Sequence, residues 1–253
     1  MDIDPALTAT VQRISEGVYV RLAVDNLTWI DVGASVIVVD ALEEAPLAGE
    51  VLAAIAETTG GKPVSHVLNT HTHYDHVALN ETFAAAGAKI VNRHTTTIPP
   101  EGLTFEGPGR RLRMLPLAGC HTDEDCIILV EPDAVLATGD IFGWGLIPLT
   151  RRLRRQTSDL LLSTYRRLID LKPRVIVPGH GPLCTVEHLR RWCEYFQWLQ
   201  GQAKAGIAAG EDDDALRVRM APPKDMHNWW RFLQWKHADS VEKVISSARR
   251  GLL

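Results

Sequence analysis

The stretch His71-Thr72-His73-Tyr74-Asp75-His76 holds the densest group of metal-ligand side chains in the chain. Imidazole nitrogens and carboxylate oxygens together suit zinc, and less selectively iron or manganese. His71 and His73 are two residues apart, so they can point the same way from an extended segment. One tetrahedral ion rarely takes four ligands from six residues, so Asp75 and His76 indicate a second ion. The stretch therefore predicts a site for two metal ions.

The segments around this motif alternate between strand and helix patterns. Residues 34–40 form a nearly continuous run rich in β-branched side chains, which is typical of a strand buried on both faces. Residues 45–58 carry apolar side chains at helical spacing, and Gly60-Gly61 ends that helix. The motif follows a short strand at 65–70 and precedes a helix at 78–86, a loop setting in which side chains can converge on an ion.

The rest of the chain repeats this scheme. Further strands are expected at 18–20, 89–91, 112–117, 126–130, 134–138 and 174–178, and helices at 158–170 (with Ser158 as N-cap), about 186–206 and about 225–251. No linker rich in Gly, Ser or Pro interrupts the pattern, so a single domain over 1–253 is expected, with a helical extension at about 185–253. The order of elements predicts an α/β fold of two stacked sheets covered by helices.

Composition narrows the class of protein further. The 253 residues are 45% apolar and 23% charged, which excludes disordered, collagen-like and coiled-coil chains. The net charge of −4 predicts neither a nucleic acid nor another polyanion as partner. There is no apolar run long enough to span a membrane, no secretory signal pattern and no CxxC pair among the four cysteines. A cytoplasmic location without membrane association is therefore expected.

Three later fragments place metal-ligand side chains directly after predicted strands. They are Gly119-Cys120-His121-Thr122, Thr138-Gly139-Asp140 and Pro178-Gly179-His180-Gly181. Together with the HxHxDH motif, and in the same order, they resemble the metallo-β-lactamase-fold hydrolases over about residues 17–185. The resemblance implies a four-layer αβ/βα sandwich of two mixed sheets flanked by helices.

The resemblance also implies a role for each ligand. One metal would be held by His71, His73 and His121, the other by Asp75, His76 and His180, with Asp140 bridging the two. Two zinc ions are the expected cofactors, with iron and manganese as alternatives. A hydroxide shared by the metals would attack an electrophilic carbonyl, with Asp75 or Asp140 carrying the proton. The sequence leaves the choice between these two carboxylates open.

The identity of the bridging residue narrows the expected substrate. True β-lactamases of this fold generally place Cys or Ser near the position of Asp140, whereas glyoxalase II-like thioesterases and lactonases carry Asp there. The resemblance therefore implies a hydrolase of a small-molecule carboxylic thioester, ester or lactone. A phosphodiesterase and a β-lactamase-like amide hydrolase are the alternatives. The complete ligand set argues against a metal-binding protein without catalytic activity.

The segment after Asp140 offers candidate substrate contacts. Trp144 lies in an apolar loop that would border the metal pocket, and Arg151, Arg152, Arg154 and Arg155 follow it. These arginines fit a solvated basic turn before a helix. They also fit an anion clamp for coenzyme A, a carrier protein or a carboxylated substrate. The expected partner is a small acyl substrate, and the sequence does not define the oligomeric state.

Overall fold

The computed structural model describes residues 9–117, 119–148 and 155–253. These residues form two compact units, and each is described by itself. The first unit comprises residues 9–117, 122–140 and 173–184, and the second comprises residues 119–121, 141–148, 155–172 and 185–253. The single domain expected from the sequence stays a prediction.

The first unit contains two mixed sheets. The six-stranded sheet runs in chain order through β1 (Thr10–Ser15), β2 (Val18–Leu22), β3 (Leu27–Asp31), β4 (Val36–Val39), β5 (Val64–Leu68) and β6 (Lys89–Val91). Strands β1 to β4 pair antiparallel, whereas β4, β5 and β6 pair parallel. The parallel part places the ends of β4 and β5 at the same edge of the sheet, and the HxHxDH motif follows β5.

The five-stranded sheet supplies the later chemistry-bearing residues. Its strands, in spatial order, are β11 (Val175–Pro178), β10 (Val135–Gly139), β9 (Cys126–Glu131), β8 (Arg110–Pro116) and β7 (Leu103–Gly107). Only β10 and β11 pair parallel, while the other neighbours are antiparallel. The expected α/β class with two mixed sheets and helices is therefore confirmed.

Two apolar clusters stabilise the first unit. One lies between the sheets, where Ile37 and Val39 pack with residues of the second sheet such as Met114 and Ile128. The other packs the opposite face of the first sheet against helices α1 (Ala48–Thr59) and α2 (Asn80–Ala85), and it includes the fully buried Trp29. All four residues of β4 are buried, so the prediction of a strand covered on both faces is confirmed.

The second unit is helical. It contains α3 (Arg155–Asp170), α4 (Val186–Ala208), α5 (Asp213–Arg219) and α6 (His237–Arg249). Tyr165 of α3 stacks on Trp192 of α4, with ring centroids 4.0 Å apart. At the start of α4, the Thr185 amide donates to Nδ1 of His188, so this histidine belongs to a capping box. Among the described residues, no helix combines the length and the apolar character that crossing a membrane requires.

The structure corrects two details of the expected helices. Helix α3 begins at Arg155, so Ser158 lies buried within its first turn and is not the N-cap. The prediction of a single helix at 225–251 is wrong, because the backbone of Arg231 is left-handed, with φ of 56°, and interrupts the helix. A π-helical turn, Phe232–Lys236, then leads into α6. Strands β1, β3 and β7 were not anticipated from the sequence.

Candidate metal centre

The HxHxDH motif forms a tight turn at the carboxyl end of β5. His73 is extended, and a 3-10 turn, Tyr74–His76, follows it, closed by a 3.0 Å hydrogen bond from the His76 amide to the His73 carbonyl. His71 and His76 are almost completely buried, whereas His73 and Tyr74 are exposed. The backbone changes from extended at His73 to helical at Tyr74–His76, so the two ends of the motif can serve different positions.

Three asparagines hold this turn in place. Asn69 Nδ2 donates to the His76 carbonyl at 2.9 Å, and Asn69 Oδ1 accepts from Asn80 Nδ2 at 2.9 Å and from Asn92 Nδ2 at 3.1 Å. Asn69 is only 1% exposed, so these bonds are shielded from water. Leaving a buried polar group without its hydrogen-bond partner costs about 1–3 kcal/mol in the free energy of folding. This network therefore holds the loop in one conformation before any ligand binds.

Asp140 and His180 follow neighbouring parallel strands of the second sheet. Asp140 comes directly after β10, and Gly179-His180 directly after β11, where the Gly179 amide donates to the Gly139 carbonyl at 2.9 Å. A Cβ atom at Gly179 would lie 2.2 Å from Asp140 Oδ1 and 2.8 Å from His76 Cε1. Only glycine therefore allows the two strand ends and the motif to approach this closely.

Within the first unit, the ligand-type atoms gather in two groups that share Asp140. The first group is His71, His73 and Asp140, and the second group is Asp75, His76, Asp140 and His180; within each, the ligand atoms lie within 4.8 Å of one another. Asp140 Oδ2 lies 4.0 Å from His71 Nε2, while Asp140 Oδ1 lies 3.3 Å from His76 Nε2 and 3.2 Å from His180 Nε2. Each carboxylate oxygen of Asp140 thus faces a different group.

The carboxylates of the second group favour positive charge on the imidazoles. Burial lowers the pKa of His76, but Asp40 and Asp140 raise it by more, to about 10. Burial also lowers the pKa of His180, but hydrogen bonds to Asp140, Asp25 and Asp75 raise it to about 12. Conversely, burial raises the pKa of Asp140, yet His76 and His180 hold it well below its usual range. The carboxylates therefore favour positive charge in this group, and a bound metal ion would supply that charge in place of the protons on the ligating nitrogens.

Two further carboxylates, which sequence reasoning missed, contact the Nδ1 atoms of His76 and His180, on the side of each ring away from the ligand group. Asp40 Oδ2 lies 3.0 Å from His76 Nδ1, and Asp40 is itself held by the amide and hydroxyl of Thr70. Asp25 Oδ1 lies 2.9 Å from His180 Nδ1. Ligating histidines usually donate their second ring nitrogen to such an acceptor. For Asp40 a signal existed, because it directly follows β4, the strand beside β5, and a carboxylate there lies next to the motif.

The donor set fits a transition-metal ion. Imidazole nitrogens and carboxylate oxygens are the ligands of zinc, iron and manganese. Asp75 Oδ1 is buried and has no hydrogen-bond donor among the described residues, which leaves it available to a cation. The sequence assigns His121 to the first position as well. His121 is half-buried and lies in the segment 119–121 of the second unit, and its assignment stays a prediction.

The structure describes only one of the expected substrate contacts. Trp144 is 5% exposed and packs against Phe142, His188 and Trp229, with ring centroids 5.0–5.7 Å away. Its side chain is thus a packed member of the second unit, and a role in substrate binding stays a prediction. Arg151, Arg152 and Arg154 lie outside the described residues.

The sequence comparison identifies one family. Residues 23–99 match the profile of the metallo-β-lactamase superfamily. That range contains the HxHxDH motif, Asp25 and Asp40, whereas Asp140 and His180 lie beyond it. No curated protein sequence is significantly similar to the chain.

Solved structures confirm the fold. A metallo-β-lactamase from Pontibacter korlensis superposes with a TM-score of 0.61 at 18% identity, covering 74% of this chain and 98% of that one. A metallo-β-lactamase family protein from Thermus thermophilus gives 0.63 at 20% identity, covering 94% and 95%. The sec-alkylsulfatase Pisa1 from Pseudomonas sp. gives 0.73 at 15% identity, and the chain, with 94% covered, spans half of that protein. The expected metallo-β-lactamase fold is therefore confirmed.

Proposed function

We propose that this chain, a member of the metallo-β-lactamase superfamily, is a binuclear metal hydrolase that cleaves a small-molecule carboxylic thioester, ester or lactone. The placement of Asp140 carries the proposal, because its two oxygens face different groups of ligands. A carboxylate so placed can serve two ions at once, and paired ions are a recurring device of hydrolytic sites.

The proposed ligands are His71, His73, His121 and Asp140 for one ion, and Asp75, His76, His180 and Asp140 for the other. Zinc is the proposed metal, with iron and manganese as alternatives. When bound, such a pair lowers the pKa of a shared water and polarises the carbonyl of the substrate. The protein's own contribution is to hold these side chains rigidly, through the Asn69 network and the glycine at 179.

Asp75 is the proposed proton carrier. Its Oδ2 lies 3.3 Å from His180 Nε2, which fixes the orientation of the carboxylate. Its Oδ1 has no donor among the described residues and can take a proton from the attacking water. Asp140, in contrast, directs both oxygens at ligand groups, so its role in this proposal is to bridge.

The substrate class rests on the identity of the bridging residue. An aspartate at this position resembles glyoxalase II-like thioesterases and lactonases, in contrast to true β-lactamases. The structural neighbours named above include a metallo-β-lactamase and an alkylsulfatase. One fold thus hosts several chemistries, so the substrate has to be established by measurement.

A substrate panel tests the proposal directly. It contains an acyl-coenzyme A thioester, an acyl lactone, a neutral carboxylic ester, bis-nitrophenyl phosphate, a secondary alkyl sulfate and a β-lactam. We expect kcat/KM for at least one carboxylic thioester, ester or lactone to exceed that of every other class by more than about tenfold. A comparable preference for the phosphodiester, the sulfate ester or the β-lactam would overturn the proposed substrate.

Metal analysis tests the binuclear site independently. Protein purified without chelator should carry close to two equivalents of zinc or iron, and chelation should abolish turnover until metal is restored. Fewer than about one-half equivalent, with no uptake from added zinc, iron or manganese, would contradict the proposed metal pair. The acyl carrier, whether coenzyme A or a protein, follows from the KM values of matched thioesters.

A further inference from the structure

The turn between β2 and β3 is hydrogen-bonded to the loop that carries His180. Asn26 Nδ2 donates to the carbonyls of Pro178 and Gly181, at 2.9 and 2.7 Å, and the Asn26 amide donates to the Gly179 carbonyl at 2.8 Å. Asn26 is 4% exposed, so the contact is shielded from water. Asn26 therefore fixes the path of the His180 backbone.

The preceding residue, Asp25, acts on the His180 ring. Its Oδ1 lies 2.9 Å from His180 Nδ1, and Asp25 is 8% exposed. The carbonyl of Val24 lies 3.1 Å from the same nitrogen. Nε2 faces Asp75 and Asp140, so it is the ring nitrogen that would bind a cation in the second group. A ligating nitrogen must supply its lone pair, so the one proton of the ligating imidazole would lie on Nδ1, where Asp25 and the Val24 carbonyl can accept it.

We propose that Asp25 is a positioning residue for the second metal position, one that fixes the tautomer and orientation of His180. This inference rests on the proposed metal pair. A carboxylate behind a ligating imidazole also strengthens the imidazole as a donor, and losing such a partner typically lowers metal affinity by about 10–100-fold. Because the Val24 carbonyl still accepts from Nδ1 when Asp25 is replaced, the expected loss lies near the lower end, about tenfold.

Asn26 and Asp25 contact different parts of the His180 loop: Asn26 binds its backbone, and Asp25 binds the imidazole ring. The contacts of Asn26 with the His180 loop are all to backbone carbonyls, so replacing Asn26 would move the whole loop. The carboxylate of Asp25 contacts the imidazole ring of His180. Replacing Asp25 can therefore change the orientation of this ring while Asn26 still holds the loop backbone in place. A variant of Asp25 can therefore report on the ring without disrupting the backbone.

The test compares Asp25→Asn and Asp25→Ala with a matched control, Asp31→Asn, in the full chain. Asp31 lies at the opposite end of β3, where it accepts from Lys62 Nζ at 2.6 Å and from the Gly33 amide. Zinc is titrated into metal-free protein against a chromophoric chelator to obtain two stepwise dissociation constants, and Tm is recorded for each variant. The absorption spectrum of the cobalt-substituted protein reports the geometry of each position.

Asp25→Ala should weaken only one of the two equivalents, by about tenfold or more, and change the corresponding part of the cobalt spectrum. Asp25→Asn keeps a neutral acceptor for Nδ1 and should fall between Asp25→Ala and the wild type. Asp31→Asn should lower Tm without changing either dissociation constant.

Three results would overturn the inference. In the first, Asp25→Ala binds both equivalents of zinc with wild-type affinity. In the second, Asp25→Ala weakens both equivalents equally. In the third, Asp25→Asn binds zinc as weakly as Asp25→Ala. If the wild-type protein itself takes up no second equivalent, the proposed metal pair fails, and this inference fails with it. The wild-type titration therefore separates the two failures.

Discussion

Replacing Gly179 by alanine adds one methyl group at the closest approach in the candidate metal centre. Gly179 does not have a positive φ, so alanine can adopt its backbone conformation without strain. The new Cβ would nevertheless lie 2.2 Å from Asp140 Oδ1, 2.8 Å from His76 Cε1 and 3.1 Å from the Gly139 carbonyl carbon. The effect of the substitution is therefore steric and confined to the site.

The size of the effect follows from these distances. A carbon and an oxygen that are not bonded approach to about 3.3 Å, so Asp140 or the Gly179 backbone must move by roughly 1 Å. Overpacking of this kind costs about 1–3 kcal/mol in the free energy of unfolding. A shift of about 1 Å would also break the 3.2 Å contact between Asp140 Oδ1 and His180 Nε2. Misplacement on that scale lowers kcat/KM by about a hundredfold.

Urea unfolding and steady-state hydrolysis of the best substrate measure the two effects. Gly49→Ala is the matched control, because Gly49 lies in α1, has no positive φ, and a Cβ there meets no atom within 4 Å. That control should keep full activity and gain up to about 1 kcal/mol from the better helix former. If Gly179→Ala keeps both the stability and the activity of the wild type within about threefold, the steric reasoning is refuted.

Three further predictions concern other residues. Asp140→Ala should lower kcat/KM by at least about a thousandfold with an unchanged far-UV circular dichroism spectrum; activity within about tenfold of wild type would mean that the bridge is misassigned. Changing Arg151, Arg152, Arg154 and Arg155 together to alanine should raise KM selectively for anionic substrates such as coenzyme A thioesters, and an equal rise for neutral esters would favour the solvated-turn interpretation. Burial lowers the pKa of His237 below 6.5, so the unfolded chain takes up the proton first and stability falls as pH drops below about 6.5. His237→Gln should therefore lose less free energy of unfolding between pH 7 and pH 5 in urea titrations, and an identical loss would contradict the role of this imidazole.

Most of the residues that the sequence proposes as metal ligands lie close together in the structure, whereas several elements around them were not anticipated. The ligands of the motif lie within six residues, so their proximity is dictated by the chain itself. Asp140 and His180 were found because each follows a strand in a short recognisable setting, and the structure brings both to His76. Asp25 was missed because no local sequence pattern connects it to His180. The two residues lie about 150 positions apart in the chain, and only the folding of the β2–β3 turn against the His180 loop brings them together.

The errors in secondary structure also have local causes. Residues 225–251 have helical spacing, yet Arg231 turns left-handed and the chain passes through a π-helical turn before α6 begins. Tertiary packing of Phe232, which is fully buried, outweighs the helical propensity of that segment. Strand β7 alternates between exposed and half-buried positions, and strand β1 is mostly exposed, so neither shows a strong apolar pattern.

The second group joins both sheets of the first unit, which has a consequence for the order of folding. Asp75 and His76 follow a strand of one sheet, whereas Asp140 and His180 follow strands of the other. The chain between His76 and His180 is about a hundred residues long, and contacts of such high sequence separation form slowly because loop closure must precede them. The complete group can therefore arise only after the sheets have docked. A partly folded chain therefore offers a cation no more than half of the ligands, and a bound ion must lose the ligands of one sheet before the sheets can separate.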